Sequence, residues 1–264
     1  MRKRNSKFIF IAGPCVIEDK KTVLNTASYL KEISLQYPVD FIFKASFYKA
    51  NRTSIKSFRG PGLTKGLRIL EEVKRKFGIR VLSDVHCRSD IREAKDVLDV
   101  IQIPAFLSRQ TDLIIKAAQT NKIINIKKAQ FMSPYDIKYV IEKITSVGNK
   151  KIFITERGTC FGYNNLVVDF RSFLIMRKFD YPVIFDVTHS LQRPSLLKGV
   201  SGGDRAFVEP MALAGVACGV DGLFLEVHPW PRQARSDKAT VFPLKKIRKL
   251  LDNTFKIRKA LDED

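Results

Sequence analysis

Hydrophobic residues fall in eight short runs along the chain: Phe8–Ala12, Phe41–Phe43, Arg80–Leu82, Val100–Ile103, Ile123–Ile126, Ile152–Ile154, Val183–Phe185 and Leu223–Leu225. Nearly continuous apolar character over a few residues, rich in Ile, Val and Phe, suits strands buried on both faces of a parallel sheet. Segments of helical period lie between them. Leu63, Leu67, Leu70, Val73 and Phe77 step by four, three, three and four, with Thr64 as the expected N-cap and Gly78 as the stop. Val140, Ile141 and Ile144 predict a helix closing near Gly148, and 212–220 and 247–257 predict two more. A weaker helical pattern spans 20–34. Strand and helix alternating eight times predicts a (β/α)8 barrel, with an open doubly wound sheet as the competitor. No GxGxxG follows the first run, which argues against a dinucleotide fold. No repeat, linker or low-complexity tract interrupts residues 1–264, so one catalytic domain is expected.

Composition narrows the class. At 45% hydrophobic the chain can build a core, and four scattered cysteines without a CxxC pair fit a reducing compartment. The apolar start at 8–12 is too short for a signal peptide, and no stretch approaches the roughly 20 apolar residues of a membrane helix. The expectation is a soluble cytoplasmic protein with no membrane partner. The net charge of +20 raises the question of nucleic acid. Its lysines and arginines are spread over the whole length, however, and no nucleic-acid-binding motif is present. General lysine enrichment together with anionic small-molecule substrates accounts for the charge better than a nucleic-acid partner.

A barrel places its chemistry just after the strands. Here the polar candidates gather there: Cys15, then Lys44 and Ser46, then Asp84 and His86, then Gln102 and Ala105, Lys127, Glu156 and Arg157, Asp186 and His189, and Glu226 and His228. Cys15, His189 and Glu226 follow the first, seventh and eighth runs, neighbours in a closed barrel, and Asp237 lies in the loop beyond. One thiolate, one imidazole and two carboxylates suit a borderline divalent ion such as zinc, iron or manganese. His86 and His228 compete for the imidazole role, and a buried cysteine can be merely apolar filler. Lys44, Lys49, Lys127 and Arg157 form a second constellation, with Gln102 and the backbone at Ala105. Cations facing one cavity need an anion, either a ligand phosphate and carboxylate or the internal carboxylates Asp84, Glu156 and Asp186. The stretch 44–62 carries five basic residues and no acid, with Ser46, Asn51, Thr53 and Ser54 between them; it reads as a phosphate loop or a solvated basic loop. Thr111 reads as a helix N-cap, with Arg109 just before it.

Motifs at these positions carry a family resemblance over essentially the whole chain. They are FKASFYKANRTS, FRGPG, SDVH, IQIPAFLSRQTDL, IKKAQF, ERGTCFGYNNLVVD, FDVTHSLQRP, SGG and LEVHP, with Asp237 beyond. The chain resembles the 3-deoxy-D-manno-octulosonate-8-phosphate synthases, also called 2-dehydro-3-deoxyphosphooctonate aldolases. The resemblance implies a (β/α)8 homotetramer that condenses phosphoenolpyruvate with D-arabinose 5-phosphate for lipopolysaccharide synthesis. It implies phosphoenolpyruvate against Lys44, Ser46, Lys49, Gln102, Ala105, Lys127 and Arg157. It places the pentose phosphate at Asn51, Arg52, Thr53 and Ser54, with Arg109 reaching it from a neighbouring subunit. One class of the family carries Asn at the position of Cys15 and needs no metal. This chain resembles the metal-dependent class, with Cys15, His189, Glu226 and Asp237 as ligands. Thr53 stands where Ser is commoner, and the N-terminus is short where the family can add a strand pair below the barrel.

The implied chemistry is attack of C3 of phosphoenolpyruvate on the aldehyde, water addition at C2, and loss of phosphate by C–O cleavage. Lys49 either donates a proton towards the alkoxide or acts by its charge. Asp84, Glu226 and Asp237 are candidates in the water step, and His189 and Asp237 count as catalytic as well as ligating. The nearest alternative is the synthase that uses erythrose 4-phosphate, which has Pro-Arg-Thr-Ser where this chain has Ala50-Asn51-Arg52-Thr53-Ser54, so Asn51 discriminates. A sialic-acid-type synthase and a basic nucleic-acid-binding barrel are more distant alternatives.

Overall fold

A computed structural model describes residues 7–52, 54–160, 165–197 and 200–262. All eight apolar runs lie within strands: β1 (Phe8–Gly13), β2 (Val39–Lys44), β3 (Arg80–Asp84), β4 (Val100–Ile103), β5 (Ile123–Lys127), β6 (Ile152–Glu156), β7 (Val183–Asp186) and β8 (Gly222–His228). Each pairs in parallel with the next, and β8 returns to β1 in the register Ile9–Gly222 through Gly13–Glu226. The sheet is therefore closed, and the open doubly wound alternative is excluded. A helix follows every strand: α1 (Lys20–Ser34), α2 (Leu63–Phe77), α3 (Arg88–Ala94), α4 (Thr111–Ala118), α5 (Ile137–Thr145), α6 (Arg171–Arg177), α7 (Val208–Ala217) and α8 (Ile247–Asp262). This is a (β/α)8 barrel. Residues 1–6, which would bear on a strand pair below the barrel, lie outside the described residues. Among the described residues no helix is long and apolar enough to cross a membrane.

Alternation along the strands makes two cores. Ile9, Ile11, Ile42, Leu82, Val100, Phe153, Ile184 and Phe224 point inward and plug the barrel. The intervening residues, such as Phe8, Phe10, Phe43, Ile101, Ile154 and Phe185, pack outward under the helices. Burial on both faces explains why the runs are apolar without a break. At the C-terminal ends the inward positions become polar: Lys44, Asp84, Gln102, Lys127, Asp186 and Glu226 occupy them, all buried. Phe224 thus forms the floor of a polar mouth. Gly13 is required at the end of β1, because a Cβ there would stand 2.0 Å from the Lys44 carbonyl oxygen. That close approach of β1 to β2 brings the Cys15 carbonyl within 2.8 Å of the Lys44 ammonium.

Helix ends differ from expectation in two places. The N-cap of α2 is Gly62, not Thr64, and no side chain caps it. Thr111 is the first residue of α4 rather than its cap, which is Gln110. In both cases the preceding loop reaches the helix earlier than the hydroxyl. Gly78 does end α2, at φ 60°, in the left-handed conformation that terminates helices. The start of α1 is capped by Asp19, whose Oδ1 accepts from the Thr22 amide at 2.8 Å.

Candidate active site

The mouth of the barrel holds a cleft lined by Lys44, Lys49, Asn51, Asp84, His86, Gln102, Ala105, Lys127, Arg157, Asp186 and His189, among others. Most residues expected to hold phosphoenolpyruvate are therefore brought together from several different strands or their following loops. Ser46 joins them from below: its hydroxyl donates to Asp84 Oδ2. The Gln102 amide donates to Asp84 Oδ1 and accepts from Asn125 Nδ2 at 2.8 Å, and Asn125 Oδ1 accepts from the Thr155 hydroxyl at 2.6 Å. This buried chain fixes which end of Gln102 faces which neighbour. Sequence reasoning does not single out Asn125 and Thr155. The available signal is their phase, since Asn125 stands two residues before Lys127, on the same inward face of its strand.

Internal carboxylates pair with three of the four cations. Lys44 Nζ stands 2.5 Å from Glu226 Oε1, and Lys49 Nζ stands 3.5 Å from the same oxygen. Lys127 pairs with Asp186, and its ammonium lies 3.2 Å from the centre of the Phe224 ring. Arg157 differs. Its guanidinium donates to the His189 carbonyl at 2.7 Å and to Gln192 Oε1 at 3.0 Å, and its buried Nε has no partner among the described residues. Of the four cations it is the one without a carboxylate bonded to it among the described residues. Glu156, expected as a cleft acid, instead faces the helix layer, where it accepts from Ser172 on α6 at 3.1 Å.

These pairings set the protonation states. Burial pushes Lys127 down, to about 8, and the nearby Lys44 adds to this against the pull of Asp186. Burial opposes ionisation of Asp84, Asp186 and Glu226, yet the surrounding cations hold all three carboxyls well below the usual range. Burial also disfavours a charged Lys49. The carboxylates Glu226, Asp84 and Asp237 outweigh it and hold the ammonium well above its ordinary value. Burial pushes the Cys15 thiol well up, and Asp237 and Glu226 push it further.

On the β1–β8 side, one ligand atom each from Cys15, Glu226 and Asp237 lies within 4.8 Å of the others. Cys15 Sγ stands 3.0 Å from Asp237 Oδ2 and 2.7 Å from Ser236 Oγ. His189 Nε2 completes the group, 3.4 Å from Glu226 Oε1 and 4.0 Å from Asp237 Oδ2. Asp186 Oδ2 meets His189 Nδ1 at 2.7 Å, which leaves Nε2 facing the carboxylates. The rival imidazoles stand elsewhere: His86 packs on Tyr48 with ring centres 4.6 Å apart, and His228 accepts from the Trp230 amide and stands 3.7 Å from Glu18. Glu226 Oε2 is buried with no partner among the described residues, which is the condition of a carboxylate awaiting a cation. Asp237 adopts φ 48°, a left-handed conformation held by Thr240 and Val241 amides donating to its carbonyl. A thiol, an imidazole and two carboxylates at these separations fit a divalent metal ion.

The loop after β2 is divided. Asn51 lines the cleft. Arg52 donates to Ser236 and stands 3.9 Å from Asp237, so it joins the β2 loop to the loop carrying that carboxylate. Ser54 closes a turn, accepting the Lys56 amide at its hydroxyl and the Ser57 amide at its carbonyl. Thr53 lies outside the described residues. Arg109 is exposed and does not line the cleft of its own chain.

Residues 2–263 match the DAHP synthetase I family. Curated proteins named 2-dehydro-3-deoxyphosphooctonate aldolase match over most of their length. The Fusobacterium nucleatum protein is 50% identical over 255 residues, covering 97% of this chain and 92% of its own. The Desulfatibacillum aliphaticivorans protein is 52% identical over 252 residues, 96% and 92%. That of Geobacter sp. strain M21 is 56% identical over 227 residues, 86% and 83%.

Proposed function

The chain belongs to the DAHP synthetase I family, and we propose that its reaction is that of its 2-dehydro-3-deoxyphosphooctonate aldolase relatives: phosphoenolpyruvate, D-arabinose 5-phosphate and water give 3-deoxy-D-manno-octulosonate 8-phosphate and phosphate. It is an enzyme that forms a carbon–carbon bond, and the product feeds lipopolysaccharide synthesis. The observation that carries this reading is the convergence, in one barrel mouth, of four buried cations with a Cys–His–Glu–Asp cluster beside them.

Phosphoenolpyruvate carries a carboxylate and a phosphate. Arg157, with a buried Nε free to donate, suits one of them as a planar fork. Lys127 and Lys44 supply point charges near Phe224, and Gln102, Ser46 and the backbone at Ala105 set the orientation. When C3 attacks the aldehyde, negative charge grows on the pentose oxygen. Lys49, held protonated by its anionic neighbours, is suited to stabilise that charge rather than to surrender a proton. A zinc, iron or manganese ion held by Cys15, His189, Glu226 and Asp237 would supply Lewis acidity to the aldehyde oxygen. Water then adds at C2, with Asp84, Glu226 and Asp237 as candidate proton acceptors, and the C2–O bond to the phosphate breaks. Arg52, Thr53 and Ser54 grip the pentose phosphate, and Asn51 at the cleft wall reads the longer sugar. The exposed Arg109 reaches a neighbouring subunit's site in a homotetramer. The cytoplasm is the compartment that this chemistry and four scattered cysteines without a CxxC pair suit.

A phosphate-release assay with phosphoenolpyruvate and each aldose phosphate tests the reading. Arabinose 5-phosphate is expected to be the better substrate by at least about 100-fold in kcat/KM, since a site built to hydrogen-bond a hydroxyl rejects the analogue lacking it. Activity with erythrose 4-phosphate alone would replace this reading with the tetrose-using one. The state of Lys127 adds a pH signature. With its pKa lowered to about 8 in the free site, it loses its charge as pH rises through that point, so kcat/KM for phosphoenolpyruvate falls above about pH 8. The bound anion holds the proton, so the fall in kcat comes at higher pH. Parallel profiles of the two constants check this; a kcat/KM that stays flat from about pH 7 to about pH 9.5 contradicts it.

A further inference from the structure

Lys128 and Glu156 are among the most deeply buried charges in the molecule, with side chains 0% and 2% exposed, yet neither lines the cleft. Each is adjacent in sequence to a cleft cation, Lys127 and Arg157. Alternation at the end of β5 sends Lys127 into the barrel and Lys128 into the layer beneath the helices. There the Lys128 ammonium stands 3.5 Å from Glu156 Oε1. It donates to the carbonyls of Ala129 and Met132 at 3.2 and 3.1 Å and to the Thr159 hydroxyl at 3.3 Å. Glu156 Oε1 accepts the backbone amides of Arg157 at 2.9 Å and Gly158 at 2.7 Å, while Oε2 accepts from Ser172.

We propose that Lys128 and Glu156 are positioning residues for phosphoenolpyruvate, fixing from behind the backbone that aims Lys127 and Arg157. A buried ion pair is a poor stabilising device, because desolvation offsets its attraction and apolar side chains of similar volume often do as well. An apolar pair could not do what this one does. A single carboxylate oxygen gathers two successive amides, in a turn where Gly158 has φ 90°, and so fixes the direction in which Arg157 leaves the chain. The ammonium in turn gathers the carbonyls of the loop that follows Lys127, and the Cys160 amide bonds the Gln130 carbonyl at 3.1 Å to hold the two loops together. Both buried groups use their hydrogen-bonding capacity on the loops that carry the two cations. Ser172 on α6 anchors the second oxygen and stops the carboxylate from turning.

The proposal rests on phosphoenolpyruvate being the ligand of Lys127 and Arg157, and the test separates the two claims. Metal-loaded wild type, Glu156→Gln and Ser172→Ala are compared in steady-state kinetics for each substrate, in phosphoenolpyruvate titration calorimetry and in thermal melting. Because an angstrom of misplacement is worth up to about 100-fold, Glu156→Gln is expected to raise KM for phosphoenolpyruvate about tenfold. KM for the aldose phosphate should stay within about twofold, and kcat within about threefold. Ser172→Ala, which keeps both charges, is expected to raise the same KM about threefold with little change in melting temperature, and it carries the test if Glu156→Gln does not fold. Variants that melt lower but keep the wild-type KM for phosphoenolpyruvate overturn the proposal, as does an equal rise in both KM values. Wild type that fails to bind phosphoenolpyruvate overturns the underlying reading, and the proposal with it.

Discussion

Replacing Lys127 by methionine is expected to lower kcat/KM for phosphoenolpyruvate by about 1,000-fold, the largest single-residue effect in the cleft. Three contacts converge on this ammonium. It pairs with Asp186, it lies over Phe224 at 3.2 Å, and it faces the cleft alongside Gln102 and Arg157. Methionine keeps the volume and removes the charge. The substrate loses a cation in a site shielded from water, where such a loss is worth about 3–5 kcal/mol. Asp186 loses one of the two groups holding it ionised, and it is the partner that orients His189. The damage therefore extends to the imidazole beside Glu226. Steady-state kinetics measure it, and a loss of less than tenfold would mean that Lys127 serves the fold rather than the substrate.

Metal removal is expected to have the next largest effect. Stripping the protein with a strong chelator should lower turnover at least about 100-fold, since polarising the aldehyde oxygen is worth several kcal/mol. One equivalent of divalent ion should restore it. Binding must displace a proton from Cys15, whose thiol burial and the adjacent carboxylates hold protonated well above the ordinary range. Affinity therefore rises with pH, and the metal is lost more readily near about pH 6 than near about pH 8. Elemental analysis after dialysis reads this directly. The same measurement on Cys15→Asn should show well under one equivalent; full retention of metal would remove Cys15 from the ligand set.

The strands were legible because both faces of each are buried, so every one announces itself as an apolar run. The mouth was legible because polar residues at strand ends break those runs. Helix starts were less so: Thr64 and Thr111 have the right chemistry for caps, but the backbone enters each helix before reaching them. Contacts between distant segments left no local trace. Cys15 meets Ser236 across 221 positions and Arg52 meets the same hydroxyl across 184. Nothing near any of the three predicts that the Ser236 hydroxyl stands between the Cys15 thiol and the Arg52 guanidinium. The partition of charge was also hidden. Glu156 looks equivalent to Asp84 and Asp186 in sequence, yet the end of β6 turns it outward to Ser172 and Lys128.

The measurement that bears most directly on the proposed reaction is the mass of the product formed from phosphoenolpyruvate in the presence of both arabinose 5-phosphate and erythrose 4-phosphate, read alongside free phosphate. A pentose-using site predicts an eight-carbon keto-acid phosphate as the dominant product, with one phosphate released for each molecule formed. A seven-carbon product, or phosphate released without carbon–carbon bond formation, would contradict it.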